Sequence, residues 1–174
     1  MDEILEDDVL LTCRLNGANC EELVTPGLSL LDFLRDQQHL TGTHMGCMTG
    51  HCGACTVLID GEVAKSCLVM AASAAGKNIQ TIEGLSPPDG NLSTIQQAFR
   101  DANSFQCGYC APGMVLTAVS LLSTNPQPSD QEIREALSGN LCRCTGYRSI
   151  IAGIRLAAER QLKLTNKPTG PNGV

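Results

Sequence analysis

The sequence contains no tryptophan, and its aromatic residues are limited to two tyrosines and three phenylalanines among 174 residues. Hydrophobic cores built with so few large side chains need further stabilisation, for example from bound metal or from disulfides. The chain has ten cysteines. We expect these cysteines to supply that stabilisation.

Targeting and membrane signals are also missing. The opening MDEILEDD lacks the basic residues and the apolar segment of a secretory signal, and no two arginines are adjacent. The longest apolar stretches, 67–75 and 114–122, fall well short of the roughly 18 residues that a membrane span requires. We therefore expect a cytoplasmic protein with no membrane span. In that reducing setting, clustered cysteines more often bind metal or do redox chemistry than form disulfides.

Nucleotide-binding motifs are absent as well. The sequence has neither G-x-G-x-x-G nor G-x-x-x-x-G-K-[ST]. Its net charge of −6 disfavours nucleic acid as a partner. Any flavin or nicotinamide must therefore be bound by another chain.

The N-terminal half has the pattern of a small sheet. Apolar and polar residues alternate from Val9, Asn16-Gly17 and Asp60-Gly61 are favoured hairpin turns, and Ser29 can cap a short helix. We predict strands that start at Val9 and at Cys20 and strands over 56–59, 62–65 and 78–82. These elements predict a domain over residues 9–82.

The C-terminal half changes to a helical period. Residues 83–92, which include Pro87-Pro88-Asp89-Gly90, have the composition of a linker. Beyond them Ser93 with Gln96, and Ser129 with Glu132, fit capping boxes. The pattern predicts a four-helix domain over 93–164, with Tyr147 on the apolar face of the fourth helix, and a mobile tail over 165–174. The fold class is therefore α+β.

The four helices form two similar units, each a helix, a cysteine pair and a second helix. Cys107 and Cys110 precede the second helix, and Cys142 and Cys144 precede the fourth. Packing of the two units about a pseudo-twofold axis would bring the four thiolates together beside two helix N-termini. The backbone dipole favours negative charge there.

A second set of four cysteines lies in the stretch GCMTGHCGACTVLIDGEVAKSC. Cys47, Cys52, Cys55 and Cys67 have the spacing C-x4-C-x2-C-x11-C. Plant-type ferredoxins hold a 2Fe–2S cluster with the same opening spacing, C-x4-C-x2-C, and a distant fourth cysteine. We interpret this loop as a cage for iron and sulfide.

Zinc is the main alternative, since four cysteines also form structural zinc sites. Such sites usually pair two short knuckles, whereas three of the first four cysteines share one loop. The set of Cys107, Cys110, Cys142 and Cys144 fits zinc or iron–sulfur when it is considered alone. Beside the first set, a second iron–sulfur cluster is the better interpretation.

We expect no metal-binding role for the remaining two cysteines or for the three histidines. Cys13 and Cys20 lie in predicted strands and are interpreted as small buried hydrophobic residues rather than reactive thiols. His51 adjoins Cys52, which would suit a Rieske site, but the loop already supplies enough cysteines. His39 and His44 are interpreted as ordinary loop or surface residues.

Two segments together carry a resemblance to a known family. GCMTGHCGACTVLIDG and FQCGYCAPGMVL…GNLCRCTGYR closely resemble the small iron–sulfur subunit of the molybdenum hydroxylases, the xanthine dehydrogenase family. The chain looks most like the separate-chain form found in bacterial carbon monoxide dehydrogenase, isoquinoline oxidoreductase and nicotinate-type dehydrogenases. The resemblance covers roughly residues 9–162.

This resemblance implies a β-grasp ferredoxin-like domain with one 2Fe–2S cluster, followed by a helical domain with another. It implies a large partner subunit with molybdenum-pterin and a medium subunit with FAD, so this chain would transfer electrons and do no substrate chemistry. The helical-domain cluster would lie next to molybdenum and the ferredoxin-like cluster next to flavin. Gln106 and Cys144 would contact the pterin. A dimer of heterotrimers is one arrangement that the resemblance allows.

Two positions depart from common family forms. Ala111 stands where threonine or serine is frequent, and Thr49 stands where the eukaryotic enzymes often have an acidic residue. Neither position is a ligand, so the interpretation stands. A free-standing electron carrier is the rival function, but it would not explain a second domain with its own cysteine set.

Overall fold

The computed structural model of the chain describes residues 7–87 and 89–165. The opening residues 1–6, Pro88 and residues 166–174 of the predicted tail lie outside this part. The chain builds a five-stranded sheet first and a set of helices second, as the sequence pattern predicts.

The sheet has the order β2-β1-β5-β3-β4. Strands β1 and β5 run parallel, and the other neighbours run antiparallel. Both hairpins turn where the sequence predicts, at Asn16-Gly17 and Asp60-Gly61, and all four of these residues have positive φ. Paired positive φ values suit the twist of two-residue hairpins. The strands are β1 Val9–Leu15, β2 Ala18–Val24, β3 Thr56–Ile59, β4 Glu62–Lys65 and β5 Asn78–Gln80.

One helical segment covers the sheet and completes the first core. Ser29 caps α1, Leu30–Asp32, which continues as a π-helical turn over Phe33–Gln37. Its apolar side chains are fully buried and pack with residues of β1, β2, β3 and β5. This arrangement of a mixed sheet and a crossing helix is the predicted β-grasp fold.

Strand β5 is shorter than predicted, since it ends at Gln80 rather than Ile82. The backbone N–H of Thr81 donates to Asn16 Oδ1 at 2.9 Å, and Asn16 Nδ2 donates to Thr81 Oγ1 at 3.0 Å. These two side-chain hydrogen bonds take the place of the next backbone hydrogen bonds between β1 and β5. The chain then forms a 3-10 turn over Ile82–Leu85.

The helical half has its own core. It contains α2 Thr94–Asp101, α3 Ala111–Thr124, α4 Asp130–Ala136 with a 3-10 turn over Leu137–Gly139, and α5 Arg148–Thr165. Both predicted capping boxes form, at Ser93 and at Ser129. Helix α2 packs along α5, and α3 contacts α4. The repeated order of helix, cysteine pair and helix is as predicted.

A 3-10 turn over Ile82–Leu85 connects the sheet half with the helical half. Ile82 and Leu85, at the two ends of the 3-10 turn, pack against the helical core. The domain limits 9–82 and 93–164, with a linker over 83–92, stay a prediction. Within the described residues, no helix is both long enough and apolar enough to cross a membrane.

Candidate metal centres

The first cysteine loop wraps closely around Cys47. The backbone N–H groups of Thr49 and Cys52 point at Cys47 Sγ, at 3.4 and 3.3 Å. Hydrogen bonds from Thr49 and then from Cys52 lower the pKa of the Cys47 thiol to about 5. The loop therefore favours a thiolate, the form of cysteine that binds metal.

Glycine is required in this loop because the chain passes close to other atoms. A Cβ on Gly46 would lie 2.6 Å from Cys52 Sγ. Gly53 has φ of 71°, and a Cβ there would lie 2.3 Å from the Gly139 carbonyl oxygen. Any larger residue at Gly53 would push the loop away from the helical half.

The hairpin of β3 and β4 holds the other two cysteines of the first set. Cys55 directly precedes β3, and Cys67 follows β4. The backbone N–H and hydroxyl of Ser66 both donate to the Cys55 carbonyl, at 3.2 and 2.8 Å. Burial and a hydrogen bond with Cys55 raise the pKa of Cys67 to about 11. The hairpin thus fixes these two thiols side by side.

The second set precedes two helices, as predicted. Cys107 and Cys110 lie directly before α3, and Cys142 and Cys144 lie in the loop that leads to Arg148, the first residue of α5. Cys110 is the N-cap residue of α3, and the Sγ atoms of Cys107 and Cys144 are 3.5 Å apart. Burial and a hydrogen bond with Cys142 raise the pKa of Cys110 to about 12. Burial opposes ionisation of Cys142, but hydrogen bonds from Thr145 prevail and lower its pKa.

Tyr147 organises this second loop and lies one residue before α5, with φ of 67°. Its hydroxyl accepts a hydrogen bond from the Cys142 N–H at 3.0 Å and donates to the Asn140 carbonyl at 3.1 Å. The sequence predicted Tyr147 as part of the apolar helix face. That prediction was incomplete, since the ring packs on the core while the hydroxyl holds the cysteine loop.

The two loops touch each other. The Leu141 N–H donates to the Cys52 carbonyl at 2.8 Å, and Leu141 is the residue before Cys142. A cavity of about 210 Å³ lies between the two sets. Its lining includes Gly46, Cys52, Ala54, Cys107, Cys110 and Cys142.

A buried amide, which the sequence pattern did not predict, reinforces this contact. Asn140 is 2% exposed. Its Nδ2 donates to the Gly53 carbonyl at 3.1 Å and to Thr56 Oγ1 at 3.2 Å. Its Oδ1 accepts from Lys65 Nζ at 3.1 Å and from Thr117 Oγ1 at 3.2 Å. The position of Asn140 two residues before Cys142 was the one local signal for this role.

His44 also joins the halves, which corrects the interpretation of it as an ordinary loop residue. Its ring stacks on Tyr109 with centroids 4.5 Å apart, and its Nδ1 lies 2.7 Å from the Tyr109 carbonyl oxygen. The Tyr109 hydroxyl donates to the Met45 carbonyl. His51 instead has its Nδ1 3.0 Å from Thr49 Oγ1.

The two remaining strand cysteines face each other across β1 and β2 and are buried, as predicted. Burial raises the pKa of Cys13 to about 12 and also raises that of Cys20. Gln106 is exposed beside Cys107. The contact of Gln106 and Cys144 with a pterin stays a prediction.

The eight loop thiols suit 2Fe–2S clusters in number and arrangement. The Sγ atoms of Cys107 and Cys144 are in hydrogen-bonding contact. The thiols of the other three pairs, Cys47 with Cys52, Cys55 with Cys67 and Cys110 with Cys142, are close enough to affect each other's pKa. A 2Fe–2S cluster takes two cysteines on each of two irons. Across residues 7–87 and 89–165, no three His, Cys, Asp or Glu side chains have single-ion geometry. A two-iron cluster does not require that geometry.

Comparisons with known proteins address the same two regions. Residues 8–81 match the family model of a 2Fe-2S iron-sulfur cluster binding domain, and residues 81–155 match that of a [2Fe-2S] binding domain. The nicotinate dehydrogenase small FeS subunit of Eubacterium barkeri is 47% identical over 152 residues, which are 87% of this chain and 96% of that subunit. The xanthine dehydrogenase iron-sulfur-binding subunit of Escherichia coli O157:H7 is 41% identical over 150 residues, which are 83% and 91% of the two chains.

This chain belongs to the small iron–sulfur subunits of the molybdenum hydroxylase family. Quinoline 2-oxidoreductase from Pseudomonas putida 86 contains a chain with TM-score 0.86 and 44% identity, covering 91% of this chain and 98% of that one. The aldehyde oxidoreductase of Desulfovibrio desulfuricans ATCC 27774 has TM-score 0.85 and 36% identity, but this chain covers only 17% of it. The small iron–sulfur subunit therefore also occurs as part of a longer chain.

Family membership confirms three predictions from the sequence: the resemblance to molybdenum hydroxylase small subunits, the α+β fold and the two 2Fe–2S domains. The relatives are subunits of oxidoreductase complexes, so this iron–sulfur subunit functions with larger partner subunits.

Proposed function

We propose that this iron–sulfur subunit carries electrons from a molybdenum-pterin centre on a large subunit to FAD on a medium subunit. Cys107, Cys110, Cys142 and Cys144 hold the cluster nearer molybdenum. Cys47, Cys52, Cys55 and Cys67 hold the cluster nearer flavin. Each 2Fe–2S cluster supplies a site for one electron, and this chain contributes the ligands, the hydrogen bonds to sulfur and the fixed separation of the two sites.

One observation carries the proposal. The hydrogen bond from the Leu141 N–H to the Cys52 carbonyl, 2.8 Å long, joins a cysteine of the first set to the neighbour of Cys142. Electron transfer between centres slows steeply as their separation grows, and this contact between the two ligand loops keeps the two sites close together. Two independent binding domains would not need this contact.

Exposed apolar side chains near both sets support two partner surfaces. Met48, Leu68 and Met70 are at least 40% exposed beside the first set. Phe105, Tyr109 and Leu141 are at least 41% exposed beside the second set. Apolar groups of this size around a binding site indicate a protein interface. We assign the first surface to the flavin subunit and the second to the molybdenum subunit.

The remaining parts of the proposal concern the pterin, the assembly and the compartment. Gln106 and the exposed Cys144 lie on the second surface, which suits contact with the pterin. The complex is a heterotrimer, and a dimer of heterotrimers follows if its surface contains a further self-contact. We place the complex in the cytoplasm because clustered cysteines that bind metal suit a reducing compartment.

The test interrupts the relay at the flavin-side cluster. Cys55→Ser removes one soft thiolate ligand and should impair that cluster alone. In the assembled complex, substrate should still reduce the other cluster rapidly, and flavin reduction should become slow. Stopped-flow absorbance with freeze-quench paramagnetic resonance measures both steps.

Cys20→Ser is the matched control, since it makes the same atomic change at a buried thiol outside both sets. It should leave both clusters and flavin reduction unchanged. Wild-type flavin reduction in Cys55→Ser, with the flavin-side cluster shown to be absent, would contradict the proposed order. Native gel filtration separates the rival function, since a free-standing carrier would elute without larger subunits.

A further inference from the structure

Lys65 lies between the two cysteine loops. It is the last residue of β4 and is half-buried. Its Nζ donates to Thr56 Oγ1 at 2.9 Å and to Asn140 Oδ1 at 3.1 Å. Thr56 directly follows Cys55, and Asn140 lies two residues before Cys142. The ammonium group is therefore fixed at the contact between the two halves.

The positive charge of Lys65 is not neutralised by a nearby carboxylate in the described part of the chain. The ion pairs there involve Lys77, Arg100, Arg155 and Arg160. Both acceptors of Lys65 are neutral oxygens. The charge is also close to the first cysteine set, because Lys65 pairs with Thr56 across β3 and β4. Thr56 directly follows Cys55, and Cys67 lies two residues after Lys65.

Asn140 restrains the ammonium group through its own hydrogen bonds. Its Nδ2 is held by the Gly53 carbonyl and Thr56 Oγ1, so its Oδ1 stays directed at Lys65. Gly139 lies against the same side chain, since a Cβ on Gly139 would be 3.4 Å from Lys65 Nζ. The cation is thus preorganised rather than free to move into solvent.

A fixed cation favours whichever form of a neighbouring group carries more negative charge. A reduced 2Fe–2S cluster carries one more negative charge than the oxidised cluster, and net charge and hydrogen bonding set its potential. We propose that Lys65 raises the reduction potential of the cluster held by Cys47, Cys52, Cys55 and Cys67 relative to that of the helical-domain cluster. One electron then moves from the helical-domain cluster to the flavin-side cluster, with no proton or bond change.

This inference rests on the proposed function, and its test separates the two. The midpoint potentials of both clusters are measured in the assembled complex by a redox titration followed by paramagnetic resonance. Lys65→Gln should lower the flavin-side potential and shift the electron-exchange equilibrium about tenfold toward the helical-domain cluster, which is about 59 mV for one electron. The helical-domain potential should change less.

Two variants control for charge and for position. Lys65→Arg keeps the charge and should keep the wild-type potentials. Lys77→Gln removes the same charge from an exposed ion pair with Asp60, 2.9 Å long, and should change neither potential. Lys65→Met also removes the charge but keeps an apolar side chain of similar length. It is used in place of Lys65→Gln if that variant fails to bind the flavin-side cluster.

The outcomes are distinct. Unchanged potentials in Lys65→Gln with both signals present would overturn this inference and leave the proposed function intact. Equal shifts in Lys65→Gln and Lys65→Arg would assign the effect to packing and would also overturn it. Failure of both neutral variants to load the flavin-side cluster would make Lys65 structural and reject the inference. Absence of two 2Fe–2S signals in the wild type would instead reject the proposed function.

Discussion

Replacement of Asn140 by alanine tests how firmly the two halves are joined. The side chain makes four hydrogen bonds, to Gly53, Thr56, Lys65 and Thr117. At about 1 kcal/mol for each net hydrogen bond, their loss costs about 4 kcal/mol. Thr117 is buried and loses its acceptor, so water does not easily replace this bond.

The assay is thermal unfolding of the assembled complex under anaerobic conditions, followed by the visible absorbance of the clusters. For a chain of this size, 1 kcal/mol corresponds to roughly 2–4 °C, so the midpoint of this subunit should fall by about 8–16 °C. Cluster loss makes unfolding irreversible, and the heating rate is therefore held constant. Asn19→Ala, at an exposed position of β2, is the matched control. A shift for Asn140→Ala no larger than that of the control would refute the reasoning.

Three further predictions concern single sites. Gly53→Ala should prevent close packing of the two halves and lower the iron content of the protein, because the added Cβ would collide with backbone atoms. Gly27→Ala is the control, since a Cβ there meets nothing within 4 Å and should leave the iron content unchanged. Iodoacetamide at pH 8 should leave Cys13 unmodified in the folded protein, since burial raises its pKa to about 12, and mass spectrometry would detect any labelling. Arg160 forms an ion pair with Asp101 and lowers the pKa of its carboxyl group, so Asp101 is ionised at both pH 5 and pH 7. Arg160→Gln should therefore lower the thermal stability by the same amount at the two pH values. A loss of stability that is smaller at pH 5 than at pH 7 would contradict this ion pair.

The sign of that pH dependence follows from the direction of the pKa shift. A carboxyl group with a lowered folded-state pKa contributes stability above its unfolded pKa, which is about 3.9 for aspartate. This stability is lost as the pH falls through the folded-state value. Asp101 therefore stays ionised across the range from pH 5 to pH 7.

The local features of the fold could be predicted from the sequence because short-range chemistry determines them. Asp60-Gly61 forms a turn since both residues tolerate positive φ, and Ser93 and Ser129 cap helices through bonds to residues three positions away. Cysteine spacing indicated the first thiol set in a similar way, since three of its members lie within residues 47–55. The end of β5 was predicted two residues too late, because the Asn16 side chain, 65 residues earlier in the sequence, accepts the hydrogen bond of the Thr81 N–H in place of a strand partner.

The contacts between the halves could not be predicted in this way. Asn140 and Gly53 are 87 residues apart, and His44 and Tyr109 are 65 apart. Neither pair has a periodic pattern or a motif that links its members. Lys65 and Asn140 each lie two residues before a cysteine, but only the tertiary fold brings their side chains together.

The central claim is that this chain holds two 2Fe–2S clusters on its eight loop cysteines. The most direct measurement is iron, acid-labile sulfide and zinc analysis of the anaerobically purified native complex, combined with paramagnetic resonance of the reduced protein. After correction for partner subunits, we expect about four iron and four sulfide per chain and two distinct 2Fe–2S signals. Stoichiometric zinc in either cysteine set, or a single cluster signal at full occupancy, would contradict the account.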